Sequence, residues 1–165
     1  MNDKNSTSSN INDSQFIVFE LENERYGLSV VKTESIERMT QITRVPDSSE
    51  YVLGIINLRG DIIPVLSLRL KMGLKPKEYD SDTRIIVIDT GIFRVGIVVD
   101  SVIEIINISE MGIQSTIEIL TDRESQLFKG VYKSGNSVIM LLDMDTVLGV
   151  EDSNPKKEIK DAAIV

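Results

Sequence analysis

The sequence predicts an all-β protein built as two small barrels packed side by side, with short helices and polar ends. Three observations carry this expectation. Hydrophobic residues make up 41% of the 165-residue chain, and Ile, Val and Leu supply most of them while aromatics stay at 5%. β-Branched side chains favour a pleated, half-buried surface. The apolar runs are short and broken by turn residues, with hardly any long helical periodicity. The chain also repeats itself at a nearly constant spacing.

Taken in order, residues 1–14 are rich in Asn, Ser and Asp and predict a disordered tail. Phe16-Ile17-Val18-Phe19 is a short apolar strand, Glu22-Asn23-Glu24 a turn, and Tyr26 to Val30 a second strand. Val52 to Asn57 and Asp61 to Leu68 are strands around a tight Arg59-Gly60 turn. Arg84 to Asp89, Val95 to Asp100 and Val102 to Ile106 follow. Val131-Tyr132 and Ser137 to Leu142 flank a turn at Ser134-Gly135-Asn136. Residues 151–165 are polar and charged and read as a second tail.

The repeat organises these pieces. Arg25-Tyr26-Gly27-Leu28-Ser29-Val30 matches Arg94-Val95-Gly96-Ile97-Val98-Val99 at an offset of 69. Phe16 to Phe19 matches Ile85 to Ile88 at the same offset. Further on the offset is 76: Gly54 maps to Gly130, Ile62-Ile63 to Val138-Ile139, and Ser67 to Gly73 onto Asp143 to Gly149. In both copies of the last run a capping residue opens a short helix and a Gly closes it. A barrel over 15–80 and a second over 81–150 are therefore expected, with the boundary near Tyr79 to Asp82. Each would hold about 65 residues, too few to be independently robust, so each should lean on the other. Gly27 and Gly96 are expected at barrel bends; Gly54 fits either a bend or a close backbone approach.

The composition excludes several chemistries. There is no Cys and no His, which removes thiol nucleophiles, disulfides and the usual general base and metal ligand. A net charge of -8 repels phosphate backbones. No segment reaches the roughly 18 apolar residues of a membrane span. The polar start lacks the apolar centre of a signal peptide, so a cytoplasmic protein is expected. Asn107-Ile108-Ser109 fits a glycosylation pattern that has no meaning there. No cofactor is implied, and no phosphate-binding glycine loop is present.

Four motifs invite a sharper reading. Ile86-Val87-Ile88-Asp89-Thr90-Gly91 resembles the Asp-Thr-Gly of aspartic proteases, which a single-copy chain could use as a dimer sharing a proton between two carboxylates. But Ile92-Phe93 follows where that family has a small residue, and the repeat puts a hairpin turn there. Arg59-Gly60-Asp61 is the tripeptide that integrins read, more simply a turn with Gly at an unusual backbone angle. Asp143 and Asp145 lack further oxygen ligands at calcium-loop spacing and read as helix-capping acids. A barrel binding a small ligand or oligonucleotide is opposed by the acidic charge and the few aromatics. The fourth motif is Asn57-Leu58-Arg59-Gly60, whose strands recur in the second half while its tip does not. It is either a recognition tip, with Leu58 exposed beside one Arg, or an ordinary solvated turn.

Several of these residues together are similar to the CheW family. The pattern is Tyr26-Gly27-Leu28, Ile42-Thr43-Arg44-Val45-Pro46, Gly54-Ile55-Ile56-Asn57-Leu58-Arg59-Gly60-Asp61-Ile62-Ile63-Pro64-Val65 and Leu68-Arg69, with Val95 to Asp100 in the second half. It runs from about Phe16 to Gly149. The resemblance implies two five-stranded SH3-like barrels and a non-enzymatic chemotaxis adaptor. Such an adaptor bridges methyl-accepting chemoreceptors to the regulatory domain of the histidine kinase CheA and is recruited to membrane receptor arrays. It implies receptor-side roles for Thr33, Ser35, Ile36, Gly54, Leu58, Arg59 and Ile105, and a kinase face of Ile42, Val45, Pro46 and Val52. The acid that relatives place beside the signature Arg falls at Ser35, so Glu34 or Glu37 would have to support Arg59.

Overall fold

The apolar runs read as strands in the sequence are strands, and they form two SH3-like barrels in a computed structural model that describes residues 14–114 and 127–149. The tails expected over 1–14 and 151–165 lie, Ser14 apart, outside the described residues. The strands are β1 (Gln15–Leu21), β2 (Glu24–Ser29), β3 (Thr33–Arg38), β4 (Val52–Leu58), β5 (Asp61–Ser67), β6 (Arg84–Asp89), β7 (Arg94–Val99), β8 (Ser101–Asn107), β9 (Ile113–Gln114), β10 (Phe128–Ser134) and β11 (Ser137–Leu142). Two short helices, α1 (Leu68–Lys71) and α2 (Met144–Leu148), follow β5 and β11, and 3-10 turns span Val30–Lys32 and Glu110–Gly112.

Strand β3 has no apolar signature in the sequence, since Thr-Glu-Ser-Ile-Glu-Arg offers one large hydrophobe. It is a strand because β6 gives it a ladder, pairing Ile36 with Ile86, Glu37 with Ile85 and Arg38 with Arg84.

The sheets are ordered β8-β1-β2-β11-β10-β9 and β3-β6-β7-β5-β4. The division into 15–80 and 81–150 therefore does not describe them. Hairpin β1–β2 is completed by β8 to β11, giving a terminal barrel from both ends of the chain, and β3 to β7 make a central barrel. The reason lies in the repeat. Hairpins β1–β2 and β6–β7 are equivalent, so the sequence does not say which barrel each completes. In both barrels the hairpin enters through a parallel pair, β2 with β11 and β7 with β5.

Three apolar clusters result. Phe16, Val18, Ile108, Ile139 and Leu141 fill the terminal barrel. Ile56, Ile63, Val65, Ile85, Val87 and Val98 fill the central one. The third lies between them and takes Ile17, Phe19 and Leu21 from β1, Ile86 and Ile88 from β6, and Met144, Val147 and Leu148 from α2. Strands β1 and β6 are thus buried on both faces, which is why their sequences are unbroken apolar runs rather than alternating ones.

The repeated glycines serve close approach. Gly27 sits opposite Leu141 and Gly96 opposite Val65 across the parallel pairs. An added Cβ would come within 2.6 Å of Leu141 Cδ2 at Gly27 and 2.8 Å of Ile85 Cγ2 at Gly96. This packing, rather than a barrel bend, excludes a side chain at both positions. Gly54 lies at a register shift in β4, with φ +144 and the Thr43 carbonyl oxygen 2.1 Å from where a Cβ would stand. Gly130 repeats the arrangement at φ +158. The expected caps also form: Ser67 accepts from the Leu70 amide, Asp143 from the Thr146 amide, and Gly149 takes the left-handed conformation.

The chain crosses between barrels at Val30–Lys32 and at Asp100, and each crossing is tied to a short helix by an ion pair. At the second, buried Arg69 of α1 binds Asp100 at 2.6 Å, donates from Nε to the Lys75 carbonyl at 2.9 Å and reaches Glu22. At the first, Asp145, the repeat equivalent of Arg69, binds Lys32. The same device is used twice with its charges reversed.

Gly54→Ala is expected to lower unfolding stability in urea by about 3 kcal/mol, through backbone strain plus the clash with Thr43. Gly60→Ala, with open space around it, should cost about 1 kcal/mol from its positive φ alone. Asp100→Ala takes from the buried Arg69 guanidinium the better buried of its two carboxylates and leaves it the exposed Glu22, and a loss of about 2 kcal/mol is expected in the same titration.

Candidate functional site

The β4–β5 hairpin turns through two residues, closed by the pair Leu58 and Asp61. Arg59 and Gly60 both have positive φ, at 52° and 90°. That is a type I′ geometry, which matches strand twist but normally asks for Asn, Asp or Gly at the first central position. An Arg held there stands out against local preference. The Gly60 amide donates to Asn57 Oδ1 at 2.9 Å, so Asn57 braces the turn from within. Leu58 is half-buried against the central core rather than exposed. The Arg59 side chain is 81% exposed, and its Nη2 lies 3.7 Å from Glu37 Oε1. Glu37 is thus the supporting acid.

Glu34 is taken by another cation. Arg94, at the start of β7, binds Glu34 through Nε at 2.9 Å and Nη2 at 2.8 Å, and Asp61 through Nη1 at 2.8 Å. Those hydrogen bonds, Glu34 first and Asp61 second, hold the guanidinium pKa above its ordinary value. Strand β3 therefore offers Glu34 to Arg94 and Glu37 to Arg59. The Ser35 hydroxyl is buried with no hydrogen-bond partner among the described residues. Thr33 is half-buried and donates to the Ser29 carbonyl at 3.2 Å.

Ile36 and Ile105 are equivalent in the repeat, 69 residues apart. Ile36 stands opposite Ile86, and Ile105 opposite Ile17. Facing residues of an antiparallel pair project to the same side. Ile86 and Ile17 belong to the inter-barrel core, yet Ile36 is 37% exposed and Ile105 56%. Each thus extends its sheet's inter-barrel face out into solvent.

Two predicted contact residues are not available to a partner. Val52, opposite Leu66, is 7% exposed and packs into the inter-barrel core. Gly54 is buried against the Thr43 backbone and keeps a bulge. Ile42 is half-buried against the central core, Val45 is half-buried and Pro46 exposed. Their segment is held by paired backbone hydrogen bonds of 2.9 Å between Thr43 and Ile55 and by Ser48 Oγ donating to the Val45 carbonyl at 2.9 Å.

The other motifs have structural uses. Asp89 is exposed and accepts from the Gly91 amide at 2.8 Å, while Thr90 Oγ1 accepts from the Phe93 amide at 3.2 Å. This is a self-capped hairpin turn. Asp143 caps α2 and Asp145 binds Lys32. Sequence reasoning missed Arg94, whose acids come from β3 and from the hairpin tip. A signal was present: the repeat keeps the Arg at 25 and 94, but positions 34 and 61 answer to Ile103 and Ser137.

The whole described body coincides with one known domain: the family described as CheW-like domain matches residues 15–152. The chain belongs to the CheW-like family. It is 34% identical over 139 residues to the chemotaxis protein CheW of Bacillus subtilis (strain 168), covering 84% of this chain and 89% of that one. For the chemotaxis protein CheW of Klebsiella aerogenes the identity is 31% over 138 residues, covering 84% and 83%. The crystal structure of the scaffolding protein TtCheW from Thermoanaerobacter tengcongensis superposes with a TM-score of 0.75 at 31% identity, over 86% of this chain and 96% of that one. Among the described residues of this CheW-like chain, no helix is long and apolar enough to cross a membrane.

Asp89→Asn keeps an acceptor for the Gly91 amide and is expected to leave the thermal midpoint unchanged. Neither form should hydrolyse a denatured protein at acid pH; loss of a measurable activity in the variant would revive the protease reading. Glu37→Gln should shift stability by less than about 0.5 kcal/mol, because its partner Arg59 is solvated.

Proposed function

We propose that this chain is a non-catalytic chemotaxis scaffold that holds a methyl-accepting receptor and the histidine kinase CheA together. The single observation behind the receptor surface is Arg59. It is presented on a two-residue, positive-φ turn braced by Asn57 and is backed by Glu37 from strand β3. The internal repeat explains the scaffold around that tip and has Gly135 in its place. A receptor's cytoplasmic helical hairpin would lay apolar side chains along Ile36 and Ile105, with Arg59 at the rim supplying charge complementarity. Thr33 and Ser35 lie on the same strand as Ile36 and would shape that wall.

The kinase face is assigned to Ile42, Val45 and Pro46, the segment that runs beside β4, with Val52 supporting it from the core. The regulatory domain of CheA would dock there. Separate surfaces allow both partners to be bound at once, which converts the second encounter into one at high effective concentration. Membrane localisation would follow from receptor binding.

The expected result for Arg59→Ala is an unchanged urea midpoint and about tenfold weaker capture of a receptor cytoplasmic fragment. CheA regulatory-domain binding should be retained. A folded variant that still assembles a receptor-controlled kinase complex at wild-type affinity would refute the assignment.

A further inference from the structure

Arg59 sits on a turn that its own side chain does not favour, and its direct support is one solvated contact with Glu37. The residue that ties the turn to the barrel is Arg94. Its guanidinium joins three strands at one end of the central barrel: β7, which carries it; β3, through Glu34; and β5, through Asp61. Asp61 is the residue that closes the Arg59-Gly60 turn against Leu58. Glu34 lies on the strand that carries Glu37. The fork geometry of Arg suits this, since one planar group can serve two carboxylates at fixed angles.

We propose that Arg94 is a positioning residue for the receptor-facing tip, acting through Asp61 and β3 to set where Arg59 and Glu37 stand.

The repeat provides the internal comparison. Arg25 is the equivalent of Arg94, and hairpin β1–β2 otherwise matches β6–β7. In the terminal barrel the four acidic or basic partners are gone. Ile103, Ile106, Gly135 and Ser137 occupy the positions of Glu34, Glu37, Arg59 and Asp61. Among the described residues Arg25 instead makes one loose contact, 3.9 Å from Glu20. The Arg is therefore common to both barrels, while its two-carboxylate grip accompanies the Arg59 tip alone. A merely structural surface arginine would have no reason to gain those partners only where the tip is.

This inference rests on the receptor reading of Arg59, and a double-mutant cycle separates the two. The full-length chain would be compared as wild type, Arg94→Ala, Arg59→Ala and the double variant, with Arg25→Ala as control. Two quantities are read: amide hydrogen exchange across Asn57 to Ile62, and affinity for a receptor cytoplasmic fragment. Arg94→Ala should speed exchange at the tip about fivefold or more while the global unfolding midpoint stays put. It should also weaken binding about threefold or more when Arg59 is present, and have no further effect when Arg59 is already Ala. Arg94→Lys, able to hold one carboxylate at a time, should fall between. Arg25→Ala should change neither reading. Unchanged tip exchange in Arg94→Ala overturns the proposal, as do fully additive losses, which would mean direct contact. If Arg59→Ala binds normally while Arg94→Ala still loosens the tip, the positioning stands and the receptor reading falls.

Discussion

The layer of apolar side chains between the two barrels is the constraint on which the remaining structure depends. Phe19, Leu21, Ile86, Ile88 and Val99 are at most 1% exposed there. Neither barrel has enough residues to bury a full core alone, so the shared layer contributes much of the burial that holds both. It also dictates the composition of β1 and β6. A strand covered on both sides must be apolar along its covered length, as Phe16 to Phe19 and Ile85 to Ile88 are, and those two strands are what the interior ladder of each sheet is built on.

The exchange of hairpins follows from the same layer. With β1–β2 completing the terminal barrel and β6–β7 the central one, the chain passes twice between the barrels. Each passage brings backbone and charge close to the shared core. Arg69 with Asp100, and Lys32 with Asp145, bind each passage to the helix packed beside it. Arg69 is buried and Asp100 nearly so, while Lys32 and Asp145 are half-buried; a buried charge is costly when unpaired, so the first pair in particular ties the register of its crossing. Separation of the barrels would expose the core and the ion pairs together, which makes the two barrels one cooperative unit.

The receptor surface we propose lies where that architecture runs out. Ile36 and Ile105 continue the inter-barrel face beyond the point where the opposite barrel covers it. Arg59 stands at the adjacent end of the central barrel, on a turn whose backbone geometry is met by Gly60 and Asn57 rather than by itself. The surrounding scaffold is duplicated and the charged group is not.

The strands β1, β2, β4 to β8 and β11 were legible because burial on one or both faces leaves a continuous apolar or turn-bounded pattern. The repeat was legible because Gly27, Gly54, Gly96 and Gly130 occupy positions where any Cβ would collide with a neighbour. So were the caps at Ser67 and Asp143, and the Arg59-Gly60 turn, since these are local matters of backbone conformation. Strand β3 was hidden, because its pairing comes from β6, about 50 residues away, and not from its own side chains. Which hairpin completes which barrel was hidden too, since two equivalent hairpins give equivalent patterns. The acid beside Arg59, the grip of Arg94 and the burial of Val52 were decided only in three dimensions. Each depends on which strands the closed barrels bring side by side, and a linear chain carries no record of distances across a sheet.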